Sequence, residues 1–161
     1  MYSVLQNKKN IKFKFDKFPY IIIDNALPNK LYEELNANFP KNEKIIGENT
    51  YKENFAYRYN AFSSLKDNEI SNEWKEFIKF HTSYEFVEEF YNIFKDSIKK
   101  IYKVEKERLF NRDSTGIRFE KQNHFNLDCQ FVINTPTSGD TSVIEPHLDN
   151  PVEFYAALLY M

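Results

Sequence analysis

Phe86, Phe90, Phe94, Ile98 and Ile101 fall at positions i, i+4, i+8, i+12 and i+15. At 3.6 residues per turn these five side chains line one stripe of a long helix. A stripe of that length has to be covered, so it obliges the rest of the chain to supply an apolar surface. Thr82, followed three residues later by Glu85, has the pattern of a capping box and predicts where the helix begins. The surface best suited to the stripe is the outside of a sheet, and strand patterns occur on both sides of it in the sequence.

Ile11-Lys12-Phe13-Lys14-Phe15 alternates strictly and predicts a half-buried strand. Phe18-Pro19-Tyr20-Ile21-Ile22-Ile23-Asp24 is continuously apolar and predicts a strand buried on both faces. Asp24-Asn25 ends it, and Pro28 is placed to be the first residue of a helix. Leu31, Tyr32 and Leu35 carry that helix to Phe39, where Pro40 stops it. Residues 41–53 are polar and predict an exposed loop. Residues 55–65 are ambiguous: Tyr57, Tyr59 and Ala61 alternate with Arg58, Asn60 and Phe62, which slightly favours strand.

Trp74, Phe77 and Ile78 predict a helix over Asn72 to Phe80, broken at His81-Thr82-Ser83. After the long helix, Lys103 to Arg108 is a charged, irregular run, and residues 111–127 read as loop with a short strand. Asp128 to Asn134 predicts a strand, Thr135 to Asp140 a turn, and Thr141 to Asp149 renewed extended structure. Pro151 breaks it before a last apolar strand, Phe154 to Tyr160. Strands and helices come first and strands alone come last, which indicates an α+β domain. N-terminal strands and helices would then pack on a partial double-stranded β-helix of the jelly-roll or cupin sort.

Composition narrows the possible functions. A chain of 161 residues that is 42% hydrophobic and 17% aromatic is expected to form one domain, 1–161, with its own core. The formal net charge of −2 argues against a nucleic-acid or membrane-surface partner, and Lys8, Lys9, Lys12 and Lys14 read as a solvated edge. With only 3 Gly there is neither a P-loop nor a dinucleotide fingerprint. Cys129 is the single cysteine, which fits a reducing compartment. No apolar run of signal-peptide or membrane-spanning length is found, so the expected location is cytoplasmic.

The chemistry is concentrated in Glu145-Pro146-His147-Leu148-Asp149-Asn150-Pro151. On an extended strand, residues i and i+2 share a face, so His147 and Asp149 can offer an imidazole nitrogen and a carboxylate oxygen to one metal ion. Those are two of the three ligands of the 2-His-1-carboxylate facial triad of non-haem Fe(II) oxygenases. No His follows position 149 in the sequence. The plainer alternative is a hydrogen-bonded polar pair at a strand end, with no metal.

Other reactive side chains read as structural. His124 precedes the motif and suits a surface loop, and His81 sits at a helix break. Cys129 is a small core residue with no nearby His to activate it. Glu33-Glu34 and Glu88-Glu89 are solvated helix faces.

Residues from Asp128 to Met161 resemble the first strands of the double-stranded β-helix in 2-oxoglutarate/Fe(II)-dependent dioxygenases of the prolyl 4-hydroxylase-like branch. The matching parts are Cys129-Gln130-Phe131-Val132-Ile133-Asn134, the Pro/Gly loop, Pro146-His147-Leu148-Asp149-Asn150-Pro151, and the strand ending Leu158-Leu159-Tyr160. Phe18 to Pro28, followed at once by a helix, also resembles the opening of such proteins.

The resemblance implies that His147 and Asp149 bind Fe(II), that Tyr160 hydrogen-bonds 2-oxoglutarate, and that the parental activity is hydroxylation of a peptide or small metabolite. Beyond the metal ligands it assigns no catalytic residue. The family's distal His and the basic residue that anchors 2-oxoglutarate have no counterpart in these 161 residues, nor do the fold's remaining strands. The expectation is therefore a truncated domain with little or no hydroxylase activity by itself. A non-catalytic binding or interaction module on the same scaffold is the alternative. An apolar final strand lacking its neighbours is an association hazard, so a homodimer or higher oligomer through that strand is expected.

Overall fold

The computed structural model describes residues 2–15, 18–48, 50–103, 105–137 and 153–161. It is a mixed α+β structure of six short strands and six α-helices among these residues. The strands pair two by two into three small sheets, and no barrel closes among the described residues. The chain divides into two compact units, one formed by Met1–Asn38 with Asn60–Cys129 and the other by Phe39–Tyr59 with Gln130–Met161.

In the first unit, β1 (Ile11–Phe15) and β2 (Pro19–Ile23) form an antiparallel pair in which Phe13 opposes Ile21 and Phe15 opposes Pro19. Lys12 of β1 forms an ion pair with Asp24 at the end of β2. β2 is not buried on both faces as its apolar run predicts: Ile22 is 43% exposed and its neighbours are half-buried. An apolar run reports affinity for a second layer, and only β1 pairs with this strand among the described residues.

Five helices follow within this unit. In α1 (Asn29–Ala37), Pro28 is the N-cap in extended conformation, one position ahead of its expected place. Leu35 of α1 is fully buried, and its carbonyl accepts a hydrogen bond from Trp74 Nε1 of α4 at 2.9 Å. α3 (Ala61–Lys66) begins under two side chains: Asn60 accepts from the Ser63 amide, and Asp128 accepts from the Ala61 amide at 2.9 Å. α4 (Asn72–His81) is capped by Ser71.

The long helix α5 runs from Tyr84 to Tyr102. Its cap is Ser83, which accepts from the Phe86 amide, and not the expected Thr82. The Thr82 hydroxyl instead donates to the Ile78 carbonyl and closes α4. The predicted stripe is buried at Phe86, Phe94 and Ile98 but runs off the core at Ile101, which is 58% exposed. Phe94 meets Phe13 of β1 at 5.5 Å, so the helix touches the two-stranded β1–β2 pair.

The region beyond α5 is held against it. α6 (Lys106–Leu109) gives the charged run a helical turn, and Lys106 pairs with Glu88 at 2.6 Å. Arg112 pairs with Glu85. Between these ties Phe110, 1% exposed, packs on Tyr84, Tyr91 and Phe125 at 6.0, 5.7 and 5.5 Å. Burial of one such ring is worth roughly 2–3 kcal/mol. β4 (Thr115–Ile117) and β5 (Phe125–Leu127) form a parallel pair. Gly116 in β4 leaves room for the Asn123 amide, which would stand 2.8 Å from any Cβ placed there.

In the second unit, α2 (Asn42–Ile46) packs on β3 (Ala56–Tyr59) and β6 (Phe131–Asn134), which pair antiparallel. The loop expected over residues 41–53 therefore contains a helical turn, because Ile45 is buried there at 4% exposure. The ambiguous stretch 55–65 divides between β3 and α3, with Asn60 as the dividing cap. β6 starts at Phe131, three residues later than expected. The last apolar strand does not form: Glu153 to Met161 have no regular secondary structure. An extended segment needs a second chain segment for its amide hydrogen bonds, and none of the described residues provides a ladder to this one.

Candidate functional site

His147 and Asp149 lie outside the described residues, as does the extended structure expected over 141–149. Tyr160 is described, and its side chain is 83% exposed. The residues leading to the motif are well placed. On β3 and β6 the pairs Tyr57↔Ile133 and Tyr59↔Phe131 set the alternation of faces. Tyr57 and Phe131 are buried at 3% and 4% exposure, and Phe39 packs edge-on against Phe131 at 5.4 Å. The alternation turns Arg58 and Val132 to the opposite face.

Gln130 immediately precedes β6, and its Oε1 accepts a hydrogen bond from the Arg58 guanidinium at 3.2 Å. Sequence reasoning singled out Gln130 but missed Arg58. Only the register of two strands more than 70 residues apart brings them together.

Thr135 closes the end of this ladder. Its hydroxyl donates to the Lys52 carbonyl at 2.8 Å and accepts from the Phe55 amide at 2.9 Å, and its own amide donates to the Phe55 carbonyl at 3.0 Å. The Asn54 amide donates to the Pro136 carbonyl at 2.9 Å. The Tyr57 hydroxyl accepts from the Lys52 amide and donates to the Thr50 carbonyl. Thr50, Lys52, Phe55 and Tyr57 line a recess of about 160 Å³, with the Lys52 ammonium 5.6 Å from the centre of the Phe55 ring. The strand that hands the chain on to the motif is thus fixed at both ends, by Arg58 to Gln130 and by Thr135.

The other candidate ligands separate by environment. The His81 imidazole has both nitrogens engaged inside the first unit, and burial lowers its pKa from 6.5 to about 4. His124 is exposed in a bend just before β5. Burial, and secondarily Asp128, push the Cys129 thiol up to about 12, far from a reactive thiolate. Asp128 itself caps α3.

Among the described residues no cluster of three or more His, Cys, Asp or Glu can hold a metal ion. One imidazole and one carboxylate are the donor types that suit Fe(II). No helix among the described residues is long and apolar enough to cross a membrane. No protein-family model, curated protein or solved structure matches the chain.

Proposed function

We propose that the chain is an Fe(II)/2-oxoglutarate oxygenase-like domain in which His147 and Asp149 form the metal pair and Tyr160 contacts the cosubstrate. One observation carries this reading: in the sequence the His-x-Asp motif stands between Gln130-Phe131-Val132-Ile133-Asn134 and Leu158-Leu159-Tyr160, the order that the resemblance gives to the first jelly-roll strands. Two structural features support it. β2 is followed by α1, in the order of the opening that the sequence resembles, and β6 is a paired strand that precedes the motif in sequence.

The substrate class implied is a peptide or a small metabolite bearing a C–H bond to be hydroxylated, with Fe(II) and 2-oxoglutarate supplying the oxidising chemistry. The part played by this chain's own side chains is to bind: the His147 imidazole and the Asp149 carboxylate for the metal, and the Tyr160 phenol for the cosubstrate. A second reading is a non-catalytic binding or interaction module on the same scaffold.

The reading is tested by thermal shift of the 161-residue protein with Mn(II) and 2-oxoglutarate, beside the His147→Ala/Asp149→Ala double variant. A ligand that binds only the native state raises the apparent melting temperature. The expected result is a rise in the parent protein that the double variant loses. Equal melting temperatures with and without ligands in both proteins would remove the metal pair. Succinate formation with Fe(II) separates the two functional readings: turnover above background favours the enzyme, and metal binding without turnover favours the module.

A further inference from the structure

The last residue of α4 holds the N-terminal segment. The His81 ring stacks on Phe77 with centroids 3.9 Å apart, lies 4.6 Å from Phe86, and meets Phe80 edge-on at 5.5 Å. Its Nδ1 is 2.7 Å from the Phe77 carbonyl oxygen. A carbonyl oxygen can only accept, so Nδ1 carries the proton and Nε2 presents a lone pair. That lone pair accepts from the Val4 amide at 3.3 Å, across 77 residues of sequence.

The segment docked in this way belongs to the core. Ser3 is 0% exposed and Leu5 is 7% exposed. Within the segment Ser3 Oγ accepts from the Leu5 amide and the Ser3 carbonyl from the Gln6 amide, which makes a compact local turn. No strand or helix includes residues 2–7.

We propose that the His81–Val4 pair is an acid-operated latch, in which protonation of Nε2 releases residues 2–6 from the corner between α4 and α5. A solvent proton on Nε2 converts the acceptor into a second donor. Two N–H groups then face each other, and an imidazolium is left among three phenyl rings. The carboxylates on the packed helices include Glu73 and Glu76 of α4 and Glu85, Glu88 and Glu89 of α5, and none of them contributes to the His81 shift. On α4, Glu76 and Lys79 pair with each other at the surface. On α5, Glu85 is paired with Arg112 and Glu88 with Lys106. Tyr2, Ser3, Val4 and Leu5 bring no carboxylate. The depressed pKa of His81 has burial as its main cause, opposed by the Phe77 carbonyl alone. The latch is independent of the oxygenase reading, because it uses none of that reading's residues.

The test is an NMR titration of the uniformly ¹⁵N-labelled 161-residue protein from pH 7.5 to 3.5. At neutral pH the His81 ring should show the Nδ1–H tautomer. On acidification the Val4 and Leu5 amide signals should move to unstructured positions together with His81 protonation, while the Trp74 amide keeps its native position. His81→Gln keeps an acceptor and a donor but does not titrate, so its residues 2–6 should stay docked until the whole molecule unfolds.

Release of Val4 and Leu5 only in step with Trp74 would overturn the latch, as would release of His81→Gln at the same pH as the parent. Should His81→Gln not fold, Val4→Pro serves, because it removes the donor and leaves the ring. The His81 midpoint should then rise towards 6.5, and an unchanged midpoint overturns the proposal.

Discussion

α5 and the segment from Glu153 to Met161 are both rich in aromatic and aliphatic residues, yet one buries them and the other does not. In α5, Phe86, Val87, Tyr91, Phe94 and Ile98 are buried. In the C-terminal segment Leu158 is 80% exposed and Tyr160 is 83% exposed. The difference lies in the backbone. A helix satisfies its own amides within four residues, so its apolar stripe is free to seek whatever surface is near. A strand satisfies its amides only through another segment, and without one its side chains have no defined side on which to be buried. Apolar content is therefore a statement about demand, and the helix alone can meet the backbone part of that demand locally.

This contrast can be broken or sharpened by substitution. Phe110→Ala removes a 1%-exposed ring packed between α5 and β5, and should cost about 3–5 kcal/mol in urea unfolding. A loss under about 1 kcal/mol would mean that the α5 side of the molecule is no better packed than the C-terminal segment.

Acid should weaken the α4–α5 corner next. The folded pKa of His81 is depressed from 6.5 to about 4, so its contribution is complete above pH 6.5 and is lost as pH falls through about 4. At about 1.4 kcal/mol per unit the loss reaches at most about 3 kcal/mol. It is read as the difference between the parent and His81→Gln in urea midpoints at pH 7 and pH 4.

Ser83→Ala should remove about 1 kcal/mol by uncapping α5. An equal stability of that variant and the parent would return the cap to Thr82. Leu158→Ala and Tyr160→Ala should each change the stability of the 161-residue chain by under about 0.5 kcal/mol. We also propose that this exposed segment drives self-association, so Leu158→Lys should shift sedimentation towards the monomer. A parent protein that is already monomeric at every concentration would sink that expectation.

The same division explains what could be read from the sequence. α4 and α5 were legible because their periodicity and the hydroxyl residues before them are local signals. The cap itself was misplaced by one residue, because Thr82 and Ser83 are both competent and only the Ile78 carbonyl shows that Thr82 is already used. α2 was missed because Asn42-Glu43-Lys44-Ile45-Ile46 has too few apolar residues for a period. β6 begins late because Asp128, expected within the strand, turns to cap α3 across 67 residues. Of the candidate site, the motif itself is a sequence reading. What the structure adds is its approach: the Arg58–Gln130 hydrogen bond and the Thr135 clasp, both set by strand register and neither visible in either segment alone.

The two compact units are interleaved along the chain, with changeovers at 38–39, 59–60 and 129–130. Neither unit is an uninterrupted stretch of sequence, so no single cut separates them: a protease that severs any one changeover leaves the other two intact. Isolating either unit for study would require splicing its two pieces through a new linker. During synthesis, β3 has to wait for more than seventy further residues before its partner strand leaves the ribosome.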